Sequence, residues 1–255
     1  MRKVLVLLVA AFMIAGTAQA AEAKAFSVSI SASAGTIELG STVKLSGKVS
    51  PKAAKKTVKI QRRYAGGSWT TIKKVRLSKK SSYSATVKPT RGGPTEYRVQ
   101  KPRSNGRSTT TSATRTVNVL RWRALQEFPV TGFPVTYGTR SIAGAALPAS
   151  ATINGLQDAT WTIGGSACTT FRTAIGIDDA STPGTAASPN FFWNNGLPGE
   201  TAFQIAPRNQ DLTFGQNYRQ FTEAVPANVS TLRLFGVGGA GSLVTLGTPQ
   251  LHCNS

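Results

Sequence analysis

TWTIGGSACTTFRTAIGIDD, residues 160–179, alternates apolar and polar side chains on both sides of a glycine pair. Trp161 and Ile163 alternate with Thr160 and Thr162. Phe171, Thr173 and Ile175 then alternate up to Ile177 and the acidic pair Asp178-Asp179. A period of two predicts half-buried strands, here joined by a tight turn at Gly164-Gly165. Cys168 opens the second strand, and Cys253 is the only other cysteine of the chain.

The same alternation recurs downstream in Phe191-Phe192-Trp193, Phe203-Gln204-Ile205, Leu232-Arg233-Leu234-Phe235 and Leu243-Val244-Thr245-Leu246. Asn194-Asn195-Gly196 predicts a hairpin turn, and Thr182 to Pro189 a loop. Upstream it runs through Phe26-Ser27-Val28, Val43-Lys44-Leu45, Val58-Lys59-Ile60, Tyr83-Ser84-Ala85, Tyr97-Arg98-Val99 and Val117-Asn118-Val119, with a turn at Gly66-Gly67 before Trp69. About seven short strands separated by turns describe an immunoglobulin-like sandwich, and the later strands a jelly roll. The predicted fold is all-β: two β-sandwich domains, immunoglobulin-like then jelly-roll.

Charge divides the chain near residue 125. The whole carries +20. Residues 21–125 hold 23 Lys and Arg against Glu22, Glu38 and Glu96, a balance of +20. Residues 126–255 hold five Arg against seven acids, a balance of −2, and no lysine follows Lys101. The predicted organisation is a signal peptide at 1–20, a basic sandwich at 26–120, a linker at 121–131 and a second domain at 132–255. The leader rests on Met1-Arg2-Lys3, the apolar run Val4 to Gly16 and Ala18-Gln19-Ala20, which has the form of a signal-peptidase site. The other reading, a membrane anchor, is disfavoured because the run is shorter than the roughly 20 residues that span a bilayer. The expectation is a secreted, extracellular protein without membrane insertion, associated with the cell wall. In that oxidising setting Cys168 and Cys253 are expected to pair, the alternative being two free thiols.

Lys55, Lys56, Lys59, Arg62, Lys73, Lys74, Lys79 and Lys80 alternate with apolar residues, which puts many cations on the outer face of a sheet. Such a face attracts polyanions with salt-dependent affinity. Anionic wall polymer, acidic polysaccharide and nucleic acid are candidates, and a merely solubilising surface is the plain alternative. Trp69 and the tyrosines between these cations suit stacking on bases, although burial in the core is the expectation. Trp161, Phe191, Phe192 and Trp193 are likewise expected inside, with Trp193 outward only if the register reverses.

Asp178 and Asp179 have two readings. Hard cations such as calcium want several oxygens, to which Asp158 and Asp211 could add; alternatively the pair holds nearby backbone N–H groups. Gly236-Val237-Gly238-Gly239-Ala240-Gly241 has the spacing of a dinucleotide fingerprint, but a strand rather than a helix is predicted after it, so it reads as a loop. No catalytic residue is assigned. His252 stands alone beside Cys253, and nothing in the spacing of Glu200, Asp211 and Glu223 favours an acid/base pair.

Two resemblances accompany this reading. Gly40-x-x-Val43-x-Leu45-x-Gly47-x-Val49, Val58-x-Ile60-Gln61-Arg62, Gly67-Ser68-Trp69 and Tyr97-Arg98-Val99 resemble the cysteine-free immunoglobulin-like domains of bacterial secreted proteins, which implies a spacer or adhesive module. Trp161-x-Ile163-Gly164-Gly165, Phe171-x-x-x-Ile175-Gly176-Ile177-Asp178-Asp179, Phe192-x-x-Asn195-Gly196, Leu232-x-Leu234 and Leu251-x-Cys253 resemble the NPCBM family of carbohydrate-binding modules. That resemblance implies a calcium-stabilised jelly roll that binds sugar at its loop edge; Ala180 stands where the family commonly has an acidic residue, and no sugar-contacting residue carries over. The expected function is a secreted, non-catalytic binder of cell-envelope glycan or anionic polymer. The alternatives are an extracellular nucleic-acid or polyanion binder, and a structural spacer or adhesion protein.

Overall fold

The computed structural model describes residues 25–164, 167–194, 203–205 and 211–254. The leader at 1–20, Gly165, Asn195-Gly196 and Glu200 lie outside the described residues. The described chain is all-β, with one 3-10 turn at Leu125–Glu127. No helix among the described residues is long and apolar enough to cross a membrane.

In the first half, Val43–Ser50 pairs antiparallel with Ser82–Val87 on one side and with Ser27–Val28 and Ser31–Ala32 on the other. The facing sheet runs Thr70–Arg76, Thr57–Tyr64, Gly93–Lys101, Arg115–Ala124, with Thr36–Glu38 parallel to the last. Alternation decides which side chains meet: Val43, Leu45, Tyr83 and Ala85 of one sheet close on Val58, Ile60, Tyr97, Val99 and Val117 of the other. Each position between them points outward.

The second half is a second sandwich. Leu243–Cys253 is its central strand, and Cys168–Ile177 runs antiparallel along one edge of it, followed by Arg219–Ala224. Facing this sheet lies the set Val130–Gly132, Asp158–Thr162, Thr231–Phe235, Asn190–Asn194, Phe203–Ile205. Trp161, Phe171, Phe191, Leu232, Leu246 and Leu251 fill the space between the sheets and are fully buried. The indole N–H of Trp161 donates to Tyr137 Oη at 2.9 Å, so its burial leaves no orphan donor.

The other edge of Leu243–Cys253 is shared by two strands. Ala145–Asn154 pairs with Leu243 to Leu246, and the end of Arg115–Ala124 pairs with Gln250 to Cys253. Arg115–Ala124 therefore belongs to both sandwiches: its first residues bond Gly93–Lys101, and Arg121 to Ala124 bond the last strand. This corrects the expected linker at 121–131. The change of charge there marks the end of the basic surface, whereas Leu125 and Phe128 are buried in the second core and Val130–Gly132 is already a strand. Glu127 accepts from Arg121 and from the Ala124 N–H, which folds the turn back on the strand.

Candidate functional site

Register assembles a cationic face on the outside of the first half's larger sheet. Lys59 lies directly across from Lys74 on one side and from Gln100 on the other. Two residues along, Gln61 lies across from Thr71 and Arg98, and Arg98 Nε donates to Gln61 Oε1 at 2.8 Å. Two further, Arg63 pairs with Glu96 in an ion pair. Arg76, across from Thr57, begins the same outward row. Like charges directly opposite in a sheet are destabilising, so the Lys59–Lys74 juxtaposition opposes folding.

Trp69 is half-buried on this face. The guanidinium of Arg98 lies 4.2 Å from its ring centre and that of Arg63 4.7 Å. The expected burial of the aromatics thus holds for Tyr83 and Tyr97 but not for Trp69 or Tyr64. Tyr64 sits at the end of its strand, with Arg62 at 4.6 Å and Arg91 at 5.5 Å from its ring.

Of the eight expected cations, Lys59 and Lys74 occupy the face. Lys55 and Lys56 lie at the adjoining end of the sheet, where Leu77 N donates to Lys56 O at 2.8 Å and Arg76 Nε to Lys55 O at 3.2 Å. Lys79 and Lys80 sit in the neighbouring turn that Ser78 closes onto Ser82. Lys73 and Arg62 leave the face. Lys73 is opposite inward-facing Ile60 and its Nζ reaches Thr86 O at 3.3 Å, while Arg62 is opposite buried Tyr97. Strict alternation from Val58 would have placed Arg63 rather than Arg62 outside; Arg98 lay in plain view between Tyr97 and Val99.

The acidic pair divides its work. Asp178 is buried, its Oδ1 accepting from Ala180 N at 2.9 Å and its Oδ2 from Thr245 Oγ1 at 3.0 Å. Asp179 reaches a different turn, where Ala143 N donates to Oδ1 at 2.7 Å and Gly144 N to Oδ2 at 2.9 Å. Hydrogen bonds from Ser141 and Gly144 hold the Asp179 carboxyl below its ordinary pKa, against a smaller opposing effect of burial. All four oxygens are occupied by donors. Among the described residues no group of three His, Cys, Asp or Glu gathers here. Asp158 pairs with Arg233, and Asp211 accepts from Ser188. The residues do not fit a calcium ion; they fit the backbone-holding role.

Cys168 and Cys253 are joined by a disulfide between directly opposed positions of neighbouring strands. One residue before Cys253, the His252 ring stacks on Trp122 with 4.8 Å between ring centres, and Arg172 lies 3.8 Å from the Trp122 ring centre. Thr169 Oγ1 is 3.3 Å from His252 Nδ1, and Glu38 Oε2 is 2.9 Å from Nε2. Hydroxyl, imidazole and carboxylate stand in relay order, yet Thr169 Oγ1 also donates to the His252 carbonyl at 3.3 Å and Trp122 stacks on the ring. The array fastens a strand edge.

Beside it, Arg172, Gln220, Thr222, Thr248 and Gln250 line a groove with Leu147. On the opposite sheet Phe192, not Trp193, points outward, sharing a second depression with Asp158, Asn194 and Arg233. Gly236 to Gly241 joins two strands with no helix after it.

No protein-family model matches the chain, and no curated protein matches it. Solved structures of low similarity include the CBM51-2 and INT domains of Clostridium perfringens ZmpB, 11% identical, TM-score 0.40, covering 63% of this chain and 37% of that one. The M60 catalytic domain with CBM51-1 and CBM51-2 of the same protein is 13% identical, TM-score 0.39, covering 90% and 31%. The CBM22-1 xylan-binding domain of Paenibacillus barcinonensis Xyn10C is 11% identical, TM-score 0.35, covering 53% and 94%. This chain spans about a third of the length of the two ZmpB chains.

Proposed function

We propose that this chain is an exported, non-catalytic protein that binds anionic polymer of the cell envelope, acidic glycan included. In this reading residues 26–120 form an immunoglobulin-like cationic module and residues 132–255 an NPCBM-like jelly roll that contacts sugar. The observation that carries it is the outer face on which Arg76, Lys74, Lys59, Arg63 and Arg98 converge with Glu96 as their one carboxylate, at the cost of a directly opposed lysine pair. A surface serving solubility alone gains nothing from aligning like charges in register. Export is supported by the leader composition and by the disulfide, which persists in oxidising compartments.

Co-sedimentation with purified cell wall across a salt series tests the proposal. Binding should weaken steeply with salt, and Lys59→Glu with Lys74→Glu should flatten the log–log slope by roughly 2, one for each lost contact. Absence of binding at low salt, or a double variant that binds like the wild type, overturns it. Trp69 between two guanidinium groups favours a second reading, single-stranded nucleic acid. Preference for an oligonucleotide over wall polymer of equal charge would select that reading.

A further inference from the structure

The groove beside Trp122 exists because two strands share one edge. Ala145–Asn154 last pairs with the central strand at Ala151 and Leu246, and Arg115–Ala124 first pairs with it at Ala124 and Gln250. Gly247, Thr248 and Pro249 between them have no ladder partner on that edge, where Thr248 Oγ1 donates to Pro148 O at 3.2 Å. The strand on the other side, Cys168–Ile177, shifts register at the same level, between Arg172 and Ala174. A notch of about 290 Å³ results, near the lower end of the roughly 300–1,000 Å³ of small-molecule sites. Gly247 lets Leu147 pack across it at the notch: a Cβ there would stand 2.5 Å from Leu147 Cδ1 and 3.1 Å from Ala174 Cβ.

Its walls carry the chemistry of sugar recognition. Gln220, Thr222 and Gln250 offer amide and hydroxyl groups, Leu147 and the edge of Phe221 offer apolar surface, and Arg172 is its one charged side chain. Arg172 is held from two directions. Its Nε and one terminal nitrogen donate to Gln250 Oε1 at 3.0 and 2.6 Å, and its guanidinium lies 3.8 Å from the Trp122 ring centre. Both contacts orient the fork, and neither supplies a negative charge. A guanidinium fixed in place beside a polar notch, with no carboxylate in its lining, is prepared for a planar anion.

We infer that this notch binds one carboxylate-bearing sugar unit, of the uronic-acid class, with Arg172 on the carboxylate and Gln220, Thr222 and Gln250 on the hydroxyls. The site deepens the proposed function and rests on it, since it names the acidic unit that the second sandwich takes from the polymer. Trp122 belongs to the strand shared by the two halves, so the site is composite, its Arg172 being oriented from the other sandwich's last strand.

Titration calorimetry of the full chain at physiological salt tests it, with a glucuronate-containing disaccharide and its neutral glucose counterpart as probes. The glucuronate probe should bind at least tenfold more tightly than the neutral one. Arg172→Gln should lose that preference and Gln220→Ala should weaken both probes, while Arg103→Gln, at an exposed arginine outside both the notch and the cationic face, should change neither. Equal binding of the two probes, or equal loss in Arg172→Gln and Arg103→Gln, overturns the site. Wall polymer bound without any disaccharide binding overturns the site alone and leaves the polymer-binding reading standing; loss of wall binding at low salt overturns that reading first. Unchanged circular dichroism of each variant confirms that exposed Arg172 and Gln220 are not needed for folding.

Discussion

His252 Nε2 lies 2.9 Å from Glu38 Oε2, a contact between the last strand of the second sandwich and the parallel edge strand of the first. The Glu38 side chain is 55% exposed and that of His252 14%. Exposed pairs contribute about 0.2–1 kcal/mol. A double-mutant cycle with Glu38→Gln and His252→Gln, followed by urea unfolding, should therefore give a coupling below about 1 kcal/mol. The junction is held by main-chain pairing of Arg121 to Ala124 with Gln250 to Cys253; a coupling above about 2 kcal/mol would assign it to the side chains instead.

Cys253 is in register with Cys168 on one side and Arg121 on the other, so the bridge anchors the strand that joins the halves. It closes a loop of sequence separation 85. The chain-entropy model values such a loop at roughly 4 kcal/mol, which for a chain of this size lowers the melting temperature by roughly 10 °C. Cys253→Ser should show that drop by calorimetry. A variant melting within 2–3 °C of the wild type would mean that strand pairing alone fixes the end.

Alternation made both cores legible: Trp161, Ile163, Phe171 and Ile175 are buried where a period of two puts them. The continuation of Val117-Asn118-Val119 into Arg121-Trp122-Arg123 was not legible. Its flanks are all large and polar-tipped, and its partner lies more than a hundred residues away in Gln250 to Cys253. The charge step near 125 pointed the other way. The outer face was half legible, because counting cations named Lys59 and Lys74 while parity alone separates Arg63 from Arg62. The turn that Asp179 holds could not be read, since Ala143 and Gly144 offer only main-chain N–H groups with no sequence signal, and Ser141 lies 38 residues away among many other serines.

Asp179 holds the turn at Ala143 and Gly144, and its carboxyl titrates below the ordinary value of about 3.9. A carboxylate whose folded pKa is depressed contributes stability that is fully present above the unfolded pKa and is lost as pH falls through the folded one. Asp179→Asn should therefore cost about 1–2 kcal/mol at pH 7, toward the low end for hydrogen bonds to charged groups because the side chain is only half-buried. The deficit relative to wild type should shrink below about pH 4. Calcium or a chelator should shift neither melting curve, and a calcium-dependent rise confined to the wild type would restore a metal role to the pair.

Lys101 is 1% exposed, and no carboxylate neutralises it in the described structure. Its Nζ donates to Pro102 O at 2.7 Å and Ser104 Oγ at 2.6 Å and lies 4.7 Å from the Phe26 ring centre. Burial, and secondarily the charge of Lys56, push its pKa below the ordinary 10.5. The sign follows from proton counts: between the lowered folded pKa and 10.5 the unfolded chain binds more protons, so stability from this group rises with pH. Lys101→Met removes that dependence together with the two hydrogen bonds, so the offset at pH 7 mixes a relieved charge with lost bonds of about 1 kcal/mol each. The pH trend is free of that mixture. Urea unfolding of wild type and Lys101→Met at pH 7, 8, 9 and 10 should show the wild type gaining on the variant as pH rises, with shared surface titrations cancelling in the difference. A difference constant across this range would mean that Lys101 titrates alike in both states and that its ammonium is as well solvated by Pro102, Ser104 and Phe26 as by water.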